Sequence, residues 1–131
     1  NEEKARKIYA GSDIFLMPSR YEPCGLSQLI AMRYGTVPVV HKTGGLADTV
    51  IDETEHQGEG TGFTFGTYSK DSFIRAIKRA IKHYNNTDNW SQLVNRAMIK
   101  DYSWENSASE YLSIYSEAIS ENHRRKQEGR T

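Results

Sequence analysis

Apolar residues follow two kinds of pattern along this chain. Up to Phe65, short continuous runs alternate with helical spacings; from Ser69 onward only helical spacings remain. Residues 1–11 read as a short helix with Ala5, Ile8 and Tyr9 on one side and Gly11 as its stop. Ile14–Met17 is a continuous apolar run of strand length, ended by Pro18. Residues 25–34 are helical again, carrying Leu26, Leu29 and Ile30 toward a glycine stop at Gly35. TVPVV, residues 36–40, is β-branched and reads as a second buried strand. Its Pro38 has no N–H for a ladder, so it is expected at a strand end or an edge. TGG at residues 43–45 leads into a short helical turn, LADTV. A polar, glycine-rich stretch then runs to Gly62, and GFTF (residues 62–65) reads as a third, short strand.

Beyond it, Ser69 is placed to cap a helix whose apolar stripe is Phe73, Ile74, Ile77, Ile81 and Tyr84. A second helix carries Trp90, Leu93, Val94, Ala97 and Met98. A third, capped by Ser103, carries Trp104, Ala108, Tyr111, Leu112, Tyr115 and Ile119. Residues 122–131, including Arg124, Arg125 and Lys126, form a polar, mildly basic tail expected to be solvated and disordered. Strands that are apolar throughout and alternate with helices imply an α/β fold, a parallel sheet covered on both faces. Two or three strands leave such a sheet with open edges. Further strands are therefore expected upstream, and the chain, which opens on Asn1, is read as a piece of a longer protein.

Charge narrows the partners. The 131 residues hold 17 basic and 17 acidic side chains, a balance unsuited to a nucleic-acid surface. No apolar run approaches the roughly 20 residues that span a bilayer, and the opening NEEKARK is no signal peptide, so no membrane partner is expected. A single cysteine makes no internal disulfide and suits a reducing, cytoplasmic setting. His41, His56, His83 and His123 show no metal spacing; no metal and no cofactor is expected. For His41, at a strand end, an edge of a cleft and a solvated surface both remain open, with solvent the expected one.

The chemistry concentrates in SRYEPCGLSQLIAMRYG, residues 19–35. Open parallel sheets bind ligands beyond the carboxyl ends of their strands, where this stretch lies. Gly25 is expected to begin a helix, whose unpaired N–H groups suit a phosphate, with the Ser27 hydroxyl in the first turn. Glu22 would repel that phosphate and should face something else. Sugar hydroxyls fit, because an ionised carboxylate accepts several hydrogen bonds. The residues thus describe a site for a sugar carrying a phosphate.

The string SRYEPCGLSQLIAMRYGTVPVVHKTGGLADTV closely resembles the second domain of bacterial glycogen synthases and plant starch synthases. The resemblance continues through GTGFTF (residues 60–65) and DYSWENSASEYLSIY (residues 101–115), nearly the whole chain. It implies the C-terminal half of the second Rossmann-like domain of a GT-B fold, followed by three closing helices, over residues 1–121. It implies a retaining transferase that moves glucose from ADP-glucose or UDP-glucose to the non-reducing end of an α-1,4-glucan, held by a separate N-terminal domain. In such enzymes the glutamate at Glu22 contacts the glucosyl hydroxyls, and Cys24, Gly25, Leu26 and Ser27 line the glucose and the distal phosphate. Arg and Lys residues that neutralise the diphosphate, and the base-stacking residues, would lie upstream. The first carboxylate of an E-x7-E pattern falls on Glu22 but the second falls on Ile30, leaving no two-carboxylate mechanism here. The resemblance places the compartment as cytoplasmic, or plastid stroma in a plant. By itself the 131-residue chain is expected to transfer nothing.

Blander readings stand beside these. KTGGL, residues 42–46, matches the family's second-domain look-alike of a phosphate-contacting motif. Thr43, Gly44 and Gly45 are thus possible donor contacts, or a tight turn with Gly44 or Gly45 at positive φ. Cys24 is expected as a small packed residue lining the cleft and not as a nucleophile, since nothing beside it makes a thiolate. The Trp104 and Tyr111 stripe is expected to be core packing and not a carbohydrate platform. Two rivals remain: another retaining GT-B glycosyltransferase, and a binding module without activity.

Overall fold

A computed structural model describes residues 1–128. It divides into two compact units, Asn1–Lys100 and Asp101–Thr131.

The first unit contains α1 (Glu2–Ala10), β1 (Ile14–Met17), α2 (Ser27–Arg33), β2 (Val37–His41), α3 (Gly44–Thr49), β3 (Phe63–Phe65), α4 (Lys70–Tyr84) and α5 (Thr87–Ile99). The three strands form a parallel sheet in the order β1-β2-β3. Ile14 lies beside Val37, and Val39 beside Phe63. Alternation along β2 sends its side chains to two cores. Val37 and Val39 join Phe63, Phe65, Ala76, Ala80, Trp90 and Leu93 on the face covered by α4 and α5. Val40 packs on the other face with Leu46 of α3 and Val50. All five β2 residues are buried, as a strand covered on both faces requires.

Pro38 is not at an edge. It is the second residue of the central strand and fully buried. Val37 donates its N–H to Asp13 on the β1 side, so the Pro38 nitrogen faces the β3 side. There the ladder begins only at Val39 and Phe63, and no donor is missed. Gly62 lies against the Pro38 ring, where a Cβ would come within 2.9 Å of it.

Ser69 caps α4 by accepting from the Ser72 N–H, as expected. Its contact face is rotated from the expected stripe, however. Ala76 and Ala80 are fully buried between partly buried Phe73 and Ile77, whereas Ile74, Ile81 and Tyr84 are exposed. The sheet surface already carries the bulk of Phe63 and Phe65, so the helix approaches through its alanines. In α5, Trp90, Leu93 and Ala97 are buried as expected, while Met98 is exposed.

Two ion pairs pin the glycine-rich segment that precedes β3. Asp52 receives the Arg79 guanidinium at 2.7 Å and the Thr64 N–H at 2.6 Å. Glu53 receives Arg96 at 2.7 Å, and Arg96 also donates to the Gly60 carbonyl at 3.1 Å.

The second unit is α6, Trp104–Glu128. Ser103 accepts from the Asn106 N–H at 3.2 Å at its start. Trp104 is 85% exposed, and Tyr111, Leu112, Tyr115 and Ile119 are exposed too, so the stripe expected as core is not buried. Residues 122–128, expected as a disordered tail, continue α6, where Arg124 and Arg125 pair with Glu121. The rest of that tail, 129–131, lies outside the described residues.

Candidate functional site

At Pro18 the missing N–H ends β1, and the chain turns across the carboxyl edge of the sheet. His41, last residue of β2, ties the strand exits together. Its Nδ1 lies 3.0 Å from the Ser19 carbonyl and its Nε2 lies 3.3 Å from that of Gly66. Its ring packs against Phe65 and Tyr68, with centroids 5.2 and 5.1 Å away. His41 is only 8% exposed, so the expectation of a solvated surface residue is replaced by that of a strand-end brace.

The loop that follows brings together the residues singled out from sequence. Glu22 is half-buried, and its carboxylate has no hydrogen-bond or ionic partner among the described residues. Cys24 is exposed and therefore not packed. Gly25 does not begin a helix: its φ of +68° is left-handed, a conformation that favours glycine, and α2 starts two residues later. Leu26 is exposed, and Ser27, half-buried, is the first residue of α2.

Thr43, Gly44 and Gly45 meet this loop from behind. Thr43 precedes α3, and Gly44 carries the positive φ expected of one of the two glycines, +46°. The Gly45 N–H donates to the carbonyls of Glu22 and Pro23, both at 3.1 Å. A Cβ on Gly44 would overlap the Glu22 carbonyl, and one on Gly45 that of Cys24. Both glycines are needed because backbone packs on backbone here. The neighbouring Lys42 reaches Glu55 at 3.5 Å in solvent.

Chemically, the loop offers one unpaired carboxylate, the Ser27 hydroxyl and a run of main-chain N–H groups. Among the described residues, no three His, Cys, Asp or Glu side chains are grouped to hold a metal ion, and no helix is long and apolar enough to cross a membrane. Away from the loop, burial would push the Asp52 carboxyl up; the Thr64 N–H and the Arg79 guanidinium outweigh it and hold the group below its ordinary range. Sequence reading missed this pair, and it missed Gln28 and Thr49, both polar residues with nothing in their local sequence to mark them as partners.

Residues 1–97 match the family described as glycosyl transferases group 1. The chain is 58% identical over 115 residues to glycogen synthase 2 of Geobacter sulfurreducens, covering 88% of this chain and 24% of that protein. With the glycogen synthase of Syntrophotalea carbinolica it shares 52% over 123 residues, 94% of this chain and 25% of that one. The chain thus spans about a quarter of the length of the curated relatives it matches. Among solved structures, the catalytic domain of starch synthase IV from Arabidopsis thaliana, bound to ADP and acarbose, superposes with a TM-score of 0.78 at 44% identity. That match covers 92% of this chain and 25% of that one. Sucrose-phosphate synthase from Thermosynechococcus elongatus gives 0.63 at 25% identity, over 92% and 29%.

Proposed function

The chain belongs to the glycosyl transferases group 1 family, and from that premise we propose that it forms one wall of the donor site of a glycogen or starch synthase. The protein carrying it transfers glucose from ADP-glucose or UDP-glucose to the non-reducing end of an α-1,4-glucan, with retention. The acceptor glucan is held by a part of the protein outside this chain.

The observation that carries this reading is the unpartnered Glu22 carboxylate on a loop braced at the carboxyl edge of a parallel sheet. A half-buried carboxylate without a partner is costly unless a ligand supplies donors. Glucosyl hydroxyls are such donors, and a phosphate is not. Main-chain N–H groups of Cys24, Gly25 and Leu26, with the Ser27 hydroxyl, suit the distal phosphate. As the glycosidic bond loosens, charge builds on the departing diphosphate, and fixed N–H dipoles favour that state over the ground state. Glu22 orients the sugar; Cys24 forms no bond to it. The glycogen synthases and the ADP-bound starch synthase among the relatives favour glucose as the sugar and a glucan as its destination.

The test is transfer by the whole protein from labelled ADP-glucose and UDP-glucose to glycogen. Label released as glucose or maltose by α-1,4-specific digestion is the expected result. Label that reaches only a sugar phosphate, or no polymer from either donor, overturns the reading.

A further inference from the structure

We propose that Gln28 and Thr49 are positioning residues that aim the main-chain N–H groups of the Cys24–Leu26 segment at the donor; this rests on the reading of the loop as the donor wall. Gln28 sits in the first turn of α2 with no exposed surface. Its Nε2 donates to the Gly25 carbonyl at 2.9 Å and to the Thr49 hydroxyl at 3.1 Å, and stands 3.4 Å from the Cys24 carbonyl. Thr49, at the far end of α3, gives its hydroxyl hydrogen to the Gly45 carbonyl at 2.6 Å. That hydrogen is committed, so Thr49 acts as acceptor toward Gln28. Carbonyls also only accept, and the amide is therefore fixed with its nitrogen facing all three oxygens. The Gly45 N–H closes the circuit on the Glu22 and Pro23 carbonyls.

Four successive carbonyls, those of Glu22, Pro23, Cys24 and Gly25, are thus held from one side. No peptide bond here is cis. In a planar trans peptide the C=O and the following N–H point in opposite directions. Drawing the carbonyls of Pro23, Cys24 and Gly25 inward turns the N–H groups of Cys24, Gly25 and Leu26 outward. None of these three N–H groups finds a partner among the described residues. Gly25, at φ +68°, gives the run the curl that gathers successive N–H groups toward one anion. Gln28 and Thr49 therefore act on the donor only through the loop backbone.

The experiment uses the whole enzyme with Gln28→Met, Thr49→Val, Thr49→Ser and, as reference, Glu22→Gln. Gln28→Met and Thr49→Val are each expected to lower kcat/KM for the nucleotide-sugar donor at least about tenfold, with the KM for glucan and the melting temperature held. Thr49→Ser keeps the hydroxyl and is expected to stay within about twofold of the parent. The double variant Gln28→Met, Thr49→Val should be no worse than Gln28→Met alone, because both break one circuit. Should Gln28→Met fail to fold, Thr49→Val against Thr49→Ser decides by the same criteria. Unchanged donor kinetics, or donor and glucan parameters falling together with the melting temperature, overturns the positioning role. If Glu22→Gln loses donor kcat/KM while Gln28→Met and Thr49→Val do not, only this inference falls. If Glu22→Gln changes nothing, the donor-wall reading falls and takes the inference with it.

Discussion

The Gly45 N–H donates to the carbonyl oxygen of Glu22 at 3.1 Å, joining two glycine-bearing turns that lie 23 residues apart. The contact exists only because neither Gly44 nor Gly45 has a side chain in the way. A Gly45→Ala substitution should push the loop off its seat. A drop of at least about tenfold in donor kcat/KM is expected, against little change for Gly66→Ala, whose Cβ would meet nothing. Steady-state kinetics of the two variants, each checked for an intact melt, measures this; equal behaviour would remove the loop contact from the function.

Replacing Glu22 by Gln keeps the shape and removes the charge that strengthens each hydrogen bond from the sugar. Activity should fall at least about tenfold, equivalent to about 1.4 kcal/mol of transition-state stabilisation. The melting temperature should hold, because Glu22 has no partner within the described residues to lose. Kinetics equal to the parent's would reduce Glu22 to a loop-shaping role.

Cys24 is exposed on the donor wall, a position open to reagents. Cys24→Ser should retain most of the activity, whereas a bulky maleimide on the parent should abolish it and leave the serine variant untouched. Loss of turnover in a well-folded serine variant, with glucose trapped on the parent cysteine, would make the thiol a nucleophile.

Asp52 sets an acid limit on the fold. Its carboxyl is held below its unfolded-state value of about 3.9. The stabilisation is present in full above that value and is lost as pH falls through the lower, folded one. Melting curves taken from pH 7 down through the acid range below about pH 4 should show a steep loss for the parent there and a shallower one for Asp52→Asn. At pH 7 the variant should already be weaker by about 3 kcal/mol, because Arg79 keeps its charge without a carboxylate. Parallel pH profiles for the two would show that the pair contributes nothing.

How much of this was legible in the residues depends on distance along the chain. Ile14–Met17 and Phe63–Phe65 were readable because a doubly covered strand writes itself as a continuous apolar run. Pro38 misled: which side of a parallel strand lacks a partner depends on where β3 starts, and no local signal marks that. Ile81 falls on the apolar stripe by its size and spacing, but it is exposed and Ala80 is buried, because the room left by Phe63 and Phe65 admits only a small side chain. Gly25 was legible as a special position, but its left-handed turn instead of a helix start was not. Glu22, Cys24, Leu26 and Ser27 are contiguous, so sequence could group them. The seat formed by Gly45, Gln28 and Thr49 was illegible because it pairs residues 21 to 23 positions apart, Gly45 through main-chain atoms and Gln28 with Thr49 through polar side chains that nothing nearby in sequence marks as partners.

The two indoles of this chain occupy opposite environments: Trp90 is 9% exposed and Trp104, at the start of α6, is 85% exposed. Excited together, they should emit as a blue component that acrylamide barely quenches and a red component that it quenches readily. Loss of the blue component would then follow unfolding of the Asn1–Lys100 unit, while a blue shift of the red one would signal that a surface has covered α6. The chain thus carries its own pair of optical probes, one for each unit, without any added label.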